Sequence, residues 1–253
     1  MLIENHAGGY AYIPSLGFAS AGVVSLPGMT IVHALFREPL PLRQGFEAVR
    51  RHMDLVGRPL VALCGFELRM PAVLDWTGFD MFNAPYVAQL ESWGLLRDGA
   101  PPLTRTNVVP TSNSLQEDAV AAFSYTIQTP DDPKAFIISG APEMIAGAAP
   151  PDNIYRRGET SEAALIDKTR CATAAVRERI DELGTVWDNA CAVRLYSRWP
   201  LALPLQRQVL AEAGLNPTHG VIWLDTEPPV FELELEIDVR RYDRELMLGA
   251  DGA

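Results

Sequence analysis

Pro-Pro-Leu-Thr-Arg-Thr-Asn-Val-Val occupies residues 101–109 and places an arginine among small hydroxyl residues at the start of an apolar run. Val108 and Val109 predict a strand, and Arg105 lies at the start of that strand. A guanidinium fixed there presents a planar fork that can bind a carboxylate through two charge-assisted hydrogen bonds. A surface position or an internal ion pair would explain the same arginine, and these interpretations stay open at this point.

The residues before this stretch form a second pattern. Residues 79–86 read as an amphipathic helix, and a helix, a short loop and Pro-x-x-Arg-Thr-x-Val together resemble the RidA (YjgF-like) family of enamine and imine deaminases. The matching positions are Phe79, Asn83, Tyr86, Pro102, Arg105, Thr106 and Val108. One extra residue stands between the proline and the arginine. The resemblance implies that Arg105 binds a substrate carboxylate and that Asn83, Tyr86 and Thr106 line the same site.

Secondary-structure signals recur along the whole chain. The first half predicts strands within 10–36, a helix at 41–56, a strand at 60–70, a helix at 76–95, and strands at 105–109 and 119–127. The second half predicts a strand at 135–139, a helix at 161–183, a strand at 187–199, a helix at 201–213, and strands at 220–224 and 231–239. Both halves therefore read β-β-α-β-α-β-β, which indicates a duplication.

The resemblance extends to both halves and implies an α+β fold. We expect two RidA-like (chorismate-mutase-like) domains, at residues 1–127 and 134–253, each a mixed sheet with two helices on one face. Residues 128–133 carry two prolines and two acids and predict the joint. Three chains pack around a central barrel in single-copy relatives, so the resemblance also implies a homo-oligomer, most simply a trimer.

Family members carry a glutamate on the last strand, about fifteen residues after the arginine. Fifteen residues after Arg105 lies Val120, whereas in the second half His219 takes the arginine's place and Glu234 follows it by fifteen. The resemblance thus implies a catalytic role for Glu234 and a substrate-binding role for His219. Residues 231–239 also alternate apolar and acidic side chains, which predicts a strand with one buried and one solvated face. A solvated face would explain Glu234 without catalysis.

Composition excludes some partners. The formal net charge of -11 and the pI near 4.8 argue against a nucleic-acid surface. Three widely spaced cysteines, Cys64, Cys171 and Cys191, predict buried thiols in a reducing compartment. Neither a signal peptide nor a membrane-spanning run is recognisable, so we expect a cytoplasmic protein without a membrane partner. No metal-ligand spacing occurs, and no metal or cofactor is expected.

The favoured hypothesis is a cofactor-independent deaminase that hydrolyses a carboxylate-bearing enamine or imine to a keto acid and ammonia. A 2-aminomuconate-type substrate is its sharper form. Such a dicarboxylate requires two cationic contacts, and Arg69 or Arg194 could supply the second. A pair of structural salt bridges is nevertheless the favoured interpretation of these two arginines. Two alternatives remain: a non-catalytic RidA-like protein that binds a small metabolite, and a chorismatase-like enzyme.

Overall fold

A computed structural model describes residues 1–15, 17–112 and 115–253 of the chain. Strands dominate this part of the chain. They are, in order, β1 (Ile3–Asn5), β2 (Tyr10–Ile13), β3 (Gly22–Ser25), β4 (Met29–Pro41), β5 (Leu63–Arg69), β6 (Thr104–Pro110), β7 (Ala119–Gln128), β8 (Phe136–Ile138), β9 (Ala141–Pro142), β10 (Ala192–Tyr196), β11 (Val221–Leu224), β12 (Thr226–Glu227), β13 (Glu236–Arg241) and β14 (Arg244–Leu248). The helices are α1 (Leu42–Leu55), α2 (Trp76–Ser92), α3 (Glu162–Glu182) and α4 (Ala202–Pro204), the last continuing as a π-helix over Leu205–Leu210.

The strands form two mixed sheets. The first sheet has the order β12-β6-β5-β7-β4-β14, and the second has the order β1-β2-β3-β8-β13-β10-β11, with β9 also paired to β13. Helices α1 and α2 pack on the outer face of the first sheet, around Phe66 and Phe123. Helix α3 and the π-helix cover the outer face of the second, around Leu195 and Ile237. The inner faces of the two sheets meet.

The positions of the helices follow from the sequence. In α1 the buried residues Phe46, Val49 and Met53 recur at spacings of three and four, which is the pattern that predicted the helix. The hydroxyl of Ser161 accepts a hydrogen bond from the amide of Ala164 at 3.3 Å and caps α3. Gly184 ends that helix with a left-handed φ of 66°. The four predicted helices are confirmed.

The predicted fold class of two RidA-like domains is wrong. Each sheet draws strands from both halves of the chain: β1, β2 and β3 lie in the second sheet, whereas β12 and β14 lie in the first. Strand β14 pairs in parallel with β4, so that Leu246 lies beside Ala34. Local patterns identified the helices and most of the longer strands, but they missed β14 and carry no information on such distant partners. The boundary between 127 and 134, in the loop that joins β7 to β8, stays a prediction.

The last predicted strand differs in both extent and burial. It begins at Glu236 rather than at 231, since Glu232 adopts a left-handed φ of 73° and Val230 bridges to Leu74 instead. Its acidic face is also not solvated: Glu236 and Asp238 are buried. The reason is that this face packs against the first sheet, where the Thr106 hydroxyl donates a hydrogen bond to Asp238.

None of the helices in the described part of the chain combines the length and hydropathy that crossing a bilayer requires.

Candidate functional site

A cavity of about 270 Å³ opens where the two sheets and their helices meet. Its polar lining consists of Arg105 and Asn107 from β6, Glu236 from β13, Arg179 from α3 and Ser15 from the segment after β2. Most of the remaining wall is apolar: Phe18, Trp76, Phe79, Pro142, Met144, Pro229, Val230 and Leu233. A mostly apolar wall with a few convergent polar groups is typical of a small-molecule site.

Arg105 is the buried cation of this cavity. Its backbone amide donates to the Ser139 hydroxyl at 3.0 Å, and its Nη2 donates to Oδ1 of Asn83 at 2.5 Å. The guanidinium carbon lies 4.2 Å from the ring centre of Phe18 and 4.7 Å from that of Tyr86, in favourable cation–π positions. Burial lowers the pKa of Arg105 to about 10, so the side chain remains charged at neutral pH.

The sequence explains how α2 presents the partners of Arg105. Phe79, Phe82, Asn83 and Tyr86 recur at spacings of three and four and form the buried face of that helix. The carboxylate of Asp75 caps the helix by accepting a hydrogen bond from the amide of Gly78 at 2.7 Å. The helix therefore holds an amide and a ring of aromatic groups against the arginine.

Several polar atoms around Arg105 lack a partner. Arg105 Nη1, Asn83 Nδ2, the Tyr86 hydroxyl and Asn107 Oδ1 are buried, yet none makes a hydrogen bond with any described residue. Within the same part of the chain, no carboxylate lies within ion-pair distance of Arg105. An unpaired buried cation destabilises a protein by several kcal/mol, on the order that a bound anion can offset. The cluster therefore fits a ligand that carries a carboxylate.

Glu236 places a carboxyl group with a raised pKa in the cavity. Burial, together with the negative charges of Asp238 and Glu143, raises its pKa from 4.5 to about 8, although Arg105 and Arg179 partly oppose the shift. At neutral pH the carboxyl group therefore holds a proton that it can donate. A group with a pKa near the working pH is suited to both halves of general acid–base catalysis.

Arg179 reaches the cavity from α3. Its Nη1 donates to the backbone oxygen of Ser139 at 3.1 Å, and burial lowers its pKa. The cavity thus contains two arginines and one glutamate, which can bind anionic groups and exchange a proton.

The predicted site residues are brought together only in part. Arg105, Asn83 and Tyr86 are in mutual contact, as above. The Thr106 hydroxyl lies behind the cavity, where it donates to Oδ2 of Asp238 at 3.1 Å. Glu234 accepts a hydrogen bond from Nε1 of Trp199 at 2.7 Å and does not line the cavity, and His219 is exposed on another loop.

Sequence reasoning missed Glu236, Arg179 and Asn107. Glu236 belongs to the same acidic row as Glu234, and counting residues along that row cannot decide which carboxyl group enters the cavity. The acidic row in residues 231–239 was the sequence signal from which Glu236 could have been identified. For Arg179, which sits among other charged residues near the end of a long helix, the sequence contains no signal.

A buried ion network lies behind the cavity, between the sheets. Glu67 pairs with Arg194 at 2.7 Å, with Arg69 at 3.1 Å and also with Arg240. Burial alone would raise the pKa of Glu67, but the surrounding cations hold it well below its usual range. The salt-bridge interpretation of Arg69 and Arg194 is confirmed, and neither arginine is available to a substrate. Asp238 joins the network through Arg240 at 2.6 Å and so stays fixed beside Glu236.

A larger depression of about 560 Å³ lies at the β7–β8 loop and is lined by Asp131, Asp132 and Asp243 among others. None of the unpartnered buried polar atoms among the described residues belongs to it. We therefore place the candidate site in the smaller cavity.

Two comparisons with known proteins name the same kind of deaminase. The family model described as 2-aminomuconate deaminase CnbZ matches residues 2–246. A 2-amino-5-chloromuconate deaminase of Comamonas testosteroni is 36% identical over 244 residues, which cover 95% of this chain and 96% of that protein. Among solved structures, a chorismatase aligns with a TM-score of 0.49 and 14% identity, over 88% of this chain and 78% of that chain.

The resemblance to the RidA family and its tandem interpretation are wrong. One family model runs as a single unit across both predicted copies. The helix–loop–strand pattern around Arg105 is a local arrangement, and its seven positions were too few to distinguish one family from another.

Proposed function

The chain belongs to the 2-aminomuconate deaminase CnbZ family, and we propose that it hydrolyses a 2-aminomuconate-type enamine to a 2-keto acid and ammonia. One observation carries the proposal: a buried arginine that has no carboxylate partner among the described residues and a glutamate that is protonated at neutral pH line the same cavity. The first group suits a substrate carboxylate, and the second suits proton transfer to carbon.

In this proposal Arg105 binds the carboxylate beside the amino-bearing carbon. The unpartnered Nη1 offers a charge-assisted hydrogen bond, and Asn83 holds Nη2 so that the fork keeps one orientation. The aromatic rings around the guanidinium exclude water, which strengthens the ion pair. Binding the substrate then compensates a charge that the folded protein leaves unpaired.

Glu236 performs the proton transfers. Its carboxyl group donates a proton to the enamine carbon next to the amino-bearing carbon, while the nitrogen lone pair forms a C=N double bond. Water then adds to this iminium carbon, and the Glu236 carboxylate accepts the proton that the water loses. The tetrahedral aminoalcohol collapses as its C–N bond breaks and its hydroxyl becomes the keto group. A proton from Glu236 reaches the leaving nitrogen, and a hydroxyl proton restores the carboxyl group, so that enamine and water yield keto acid and ammonia.

The apolar wall suits the hydrocarbon part of such a substrate. Trp76, Phe79, Val230 and Leu233 offer carbon surface that can pack against a conjugated chain. The same surface tolerates a chlorine substituent, in keeping with the named substrate of the Comamonas relative. We expect turnover of both the plain and the chlorinated compound.

The test measures ammonia and keto acid released from freshly generated 2-aminomuconate, without an added cofactor. Equal amounts of both products, formed far above the spontaneous rate, are expected from the wild-type protein. A matched pair of variants, Glu236→Gln and Glu234→Gln, shows which carboxyl group is responsible. Binding of the substrate without ammonia release above background would overturn the proposal and favour a metabolite-binding protein.

A further inference from the structure

Arg179 is held at the cavity with most of its hydrogen-bonding capacity unused. A guanidinium has five N–H donors. Within the described part of the chain, the only hydrogen bond of this side chain runs from Nη1 to the Ser139 oxygen, and no carboxylate lies within ion-pair distance. The residue also lines the cavity.

The ion network between the sheets provides a contrast. Arg69, Arg194 and Arg240 all pair with Glu67, so each of these three cations between the sheets has a carboxylate partner. Arg105 and Arg179 have no carboxylate partner in the part of the chain that the structure describes, and both line the same cavity. Two cations that are left unpaired at one cavity are suited to a ligand with two negative charges.

The two arginines approach the cavity from different sides. Arg105 extends from β6 in the first sheet, whereas Arg179 extends from α3, which covers the second sheet. The carboxyl group of Glu236 lines the same cavity as both guanidinium groups, and the charges of both oppose the rise of its pKa. A ligand that contacts both arginines therefore shares the cavity with Glu236.

We propose that Arg179 binds the second carboxylate of the substrate and makes the site selective for short conjugated dicarboxylates over monocarboxylates. The inference rests on the proposed function in one respect, which is that Arg105 takes the carboxylate beside the amino-bearing carbon. A chain anchored at both ends places its reacting carbons at Glu236. A monocarboxylate leaves the half-buried Arg179 without a carboxylate partner among the described residues, and sites that leave a polar group unpaired discriminate strongly.

The test uses two ligands that cannot be deaminated. Muconate carries a carboxylate at each end of a conjugated six-carbon chain, and sorbate has the same chain with a methyl group at one end. Calorimetry on the wild-type protein should show muconate binding roughly 100-fold more tightly than sorbate. Equal affinities would overturn the inference, and this comparison does not require any variant to fold.

Variants then identify the residue responsible. Arg179→Gln should weaken muconate binding by roughly 100-fold and leave sorbate binding unchanged, because only the second ion pair is lost. Arg177→Gln is the matched control, since Arg177 is exposed on the same helix and does not line the cavity. An equal loss for both ligands in Arg179→Gln would mean that the arginine only supports the Ser139 segment, which contradicts the inference.

The outcome is separable from the proposed function. If muconate selectivity depends on Arg179 but 2-aminomuconate releases no ammonia, the deaminase proposal fails and the dicarboxylate subsite stands. If ammonia is released while muconate and sorbate bind equally, the subsite fails and the deaminase stands.

Discussion

Gly140 leaves the space that the carboxyl group of Glu236 occupies. A Cβ atom at position 140 would overlap Oε2 of Glu236, and Cγ2 of Thr106 would lie 3.2 Å away on the other side. The amide of Gly140 also donates to the backbone oxygen of Arg105 at 3.2 Å. One glycine thus holds the strand of the anchoring arginine beside the proposed acid–base group.

Gly140→Ala should impair catalysis more than folding. The added methyl group must displace the Glu236 carboxyl group, and a displacement of about 1 Å at a reacting group can cost roughly a hundredfold in rate. We expect kcat for 2-aminomuconate to fall at least tenfold, on the order that such a displacement produces, with a far-ultraviolet circular dichroism spectrum like that of the wild type. Unchanged turnover would show that the position of this carboxyl group is not critical.

Replacement of Arg105 should weaken binding in the order Arg, Lys, Ala. Lysine keeps the charge but loses the planar fork, and alanine loses both. The alanine variant should bind muconate about 2 to 5 kcal/mol more weakly if the bound pair is desolvated. Titration calorimetry measures the loss, with Arg97→Ala as an exposed control outside the cavity. Equal affinity in all variants would place the carboxylate elsewhere.

The variants Glu236→Gln and Glu234→Gln distinguish the roles of two glutamates in the same acidic row. The amide keeps the shape of the side chain but can neither release nor take up the catalytic proton. Glu236→Gln should lower kcat at least about a hundredfold while muconate affinity changes little. Glu234→Gln should retain most of the turnover, because Glu234 bonds to Trp199 outside the cavity. The reverse result would restore Glu234 as the acid–base group.

Activity and stability should both report the raised pKa of Glu236. The first step needs the protonated form, so kcat/KM should fall as the pH rises above about 8. The pKa of Glu236 in the folded protein exceeds its ordinary value of 4.5, so between pH 4.5 and pH 8 the folded protein binds one more proton than the unfolded chain. The free energy of unfolding therefore decreases as the pH rises through this interval. The expected slope from this group is about 1.4 kcal/mol per pH unit.

Glu236→Gln removes that ionisation and provides the control. Denaturant unfolding at pH 8 should show the variant to be more stable than the wild type, and the difference should vanish near pH 4.5. A wild-type and a variant protein with the same pH dependence of unfolding would contradict the assignment.

Glu67→Gln tests the network between the sheets. It removes the carboxylate that pairs with Arg194 and Arg240 and leaves two buried cations without an ion-pair partner at Glu67. Breaking a buried pair in this way costs about 3 to 5 kcal/mol. Urea unfolding measures the loss, and exposed Glu47→Gln is the control. A loss below about 1 kcal/mol, as in an exposed pair, would mean that water reaches the network.

The sequence predicted the parts of the site that are local. Asn83, Tyr86 and Arg105 came together because a helix face, a short loop and a strand leave few arrangements over that distance along the chain. Glu236 required knowledge of where a distant strand begins, and the left-handed backbone at Glu232 shifts that start. The fold class was missed for a related reason: hydropathy patterns define strands, but their partners depend on packing that involves the whole chain.

The parallel pairing of β14 with β4 also affects the order of events during synthesis. Ala34 leaves the ribosome long before Leu246, its neighbour in the finished sheet. Until then β4 has one row of unpaired backbone groups, which is a site at which nascent chains associate with each other. Contacts between such distant segments also slow folding. The protein should therefore depend on chaperones or low temperature for high yield, and its last strand should be the segment whose loss most readily causes aggregation.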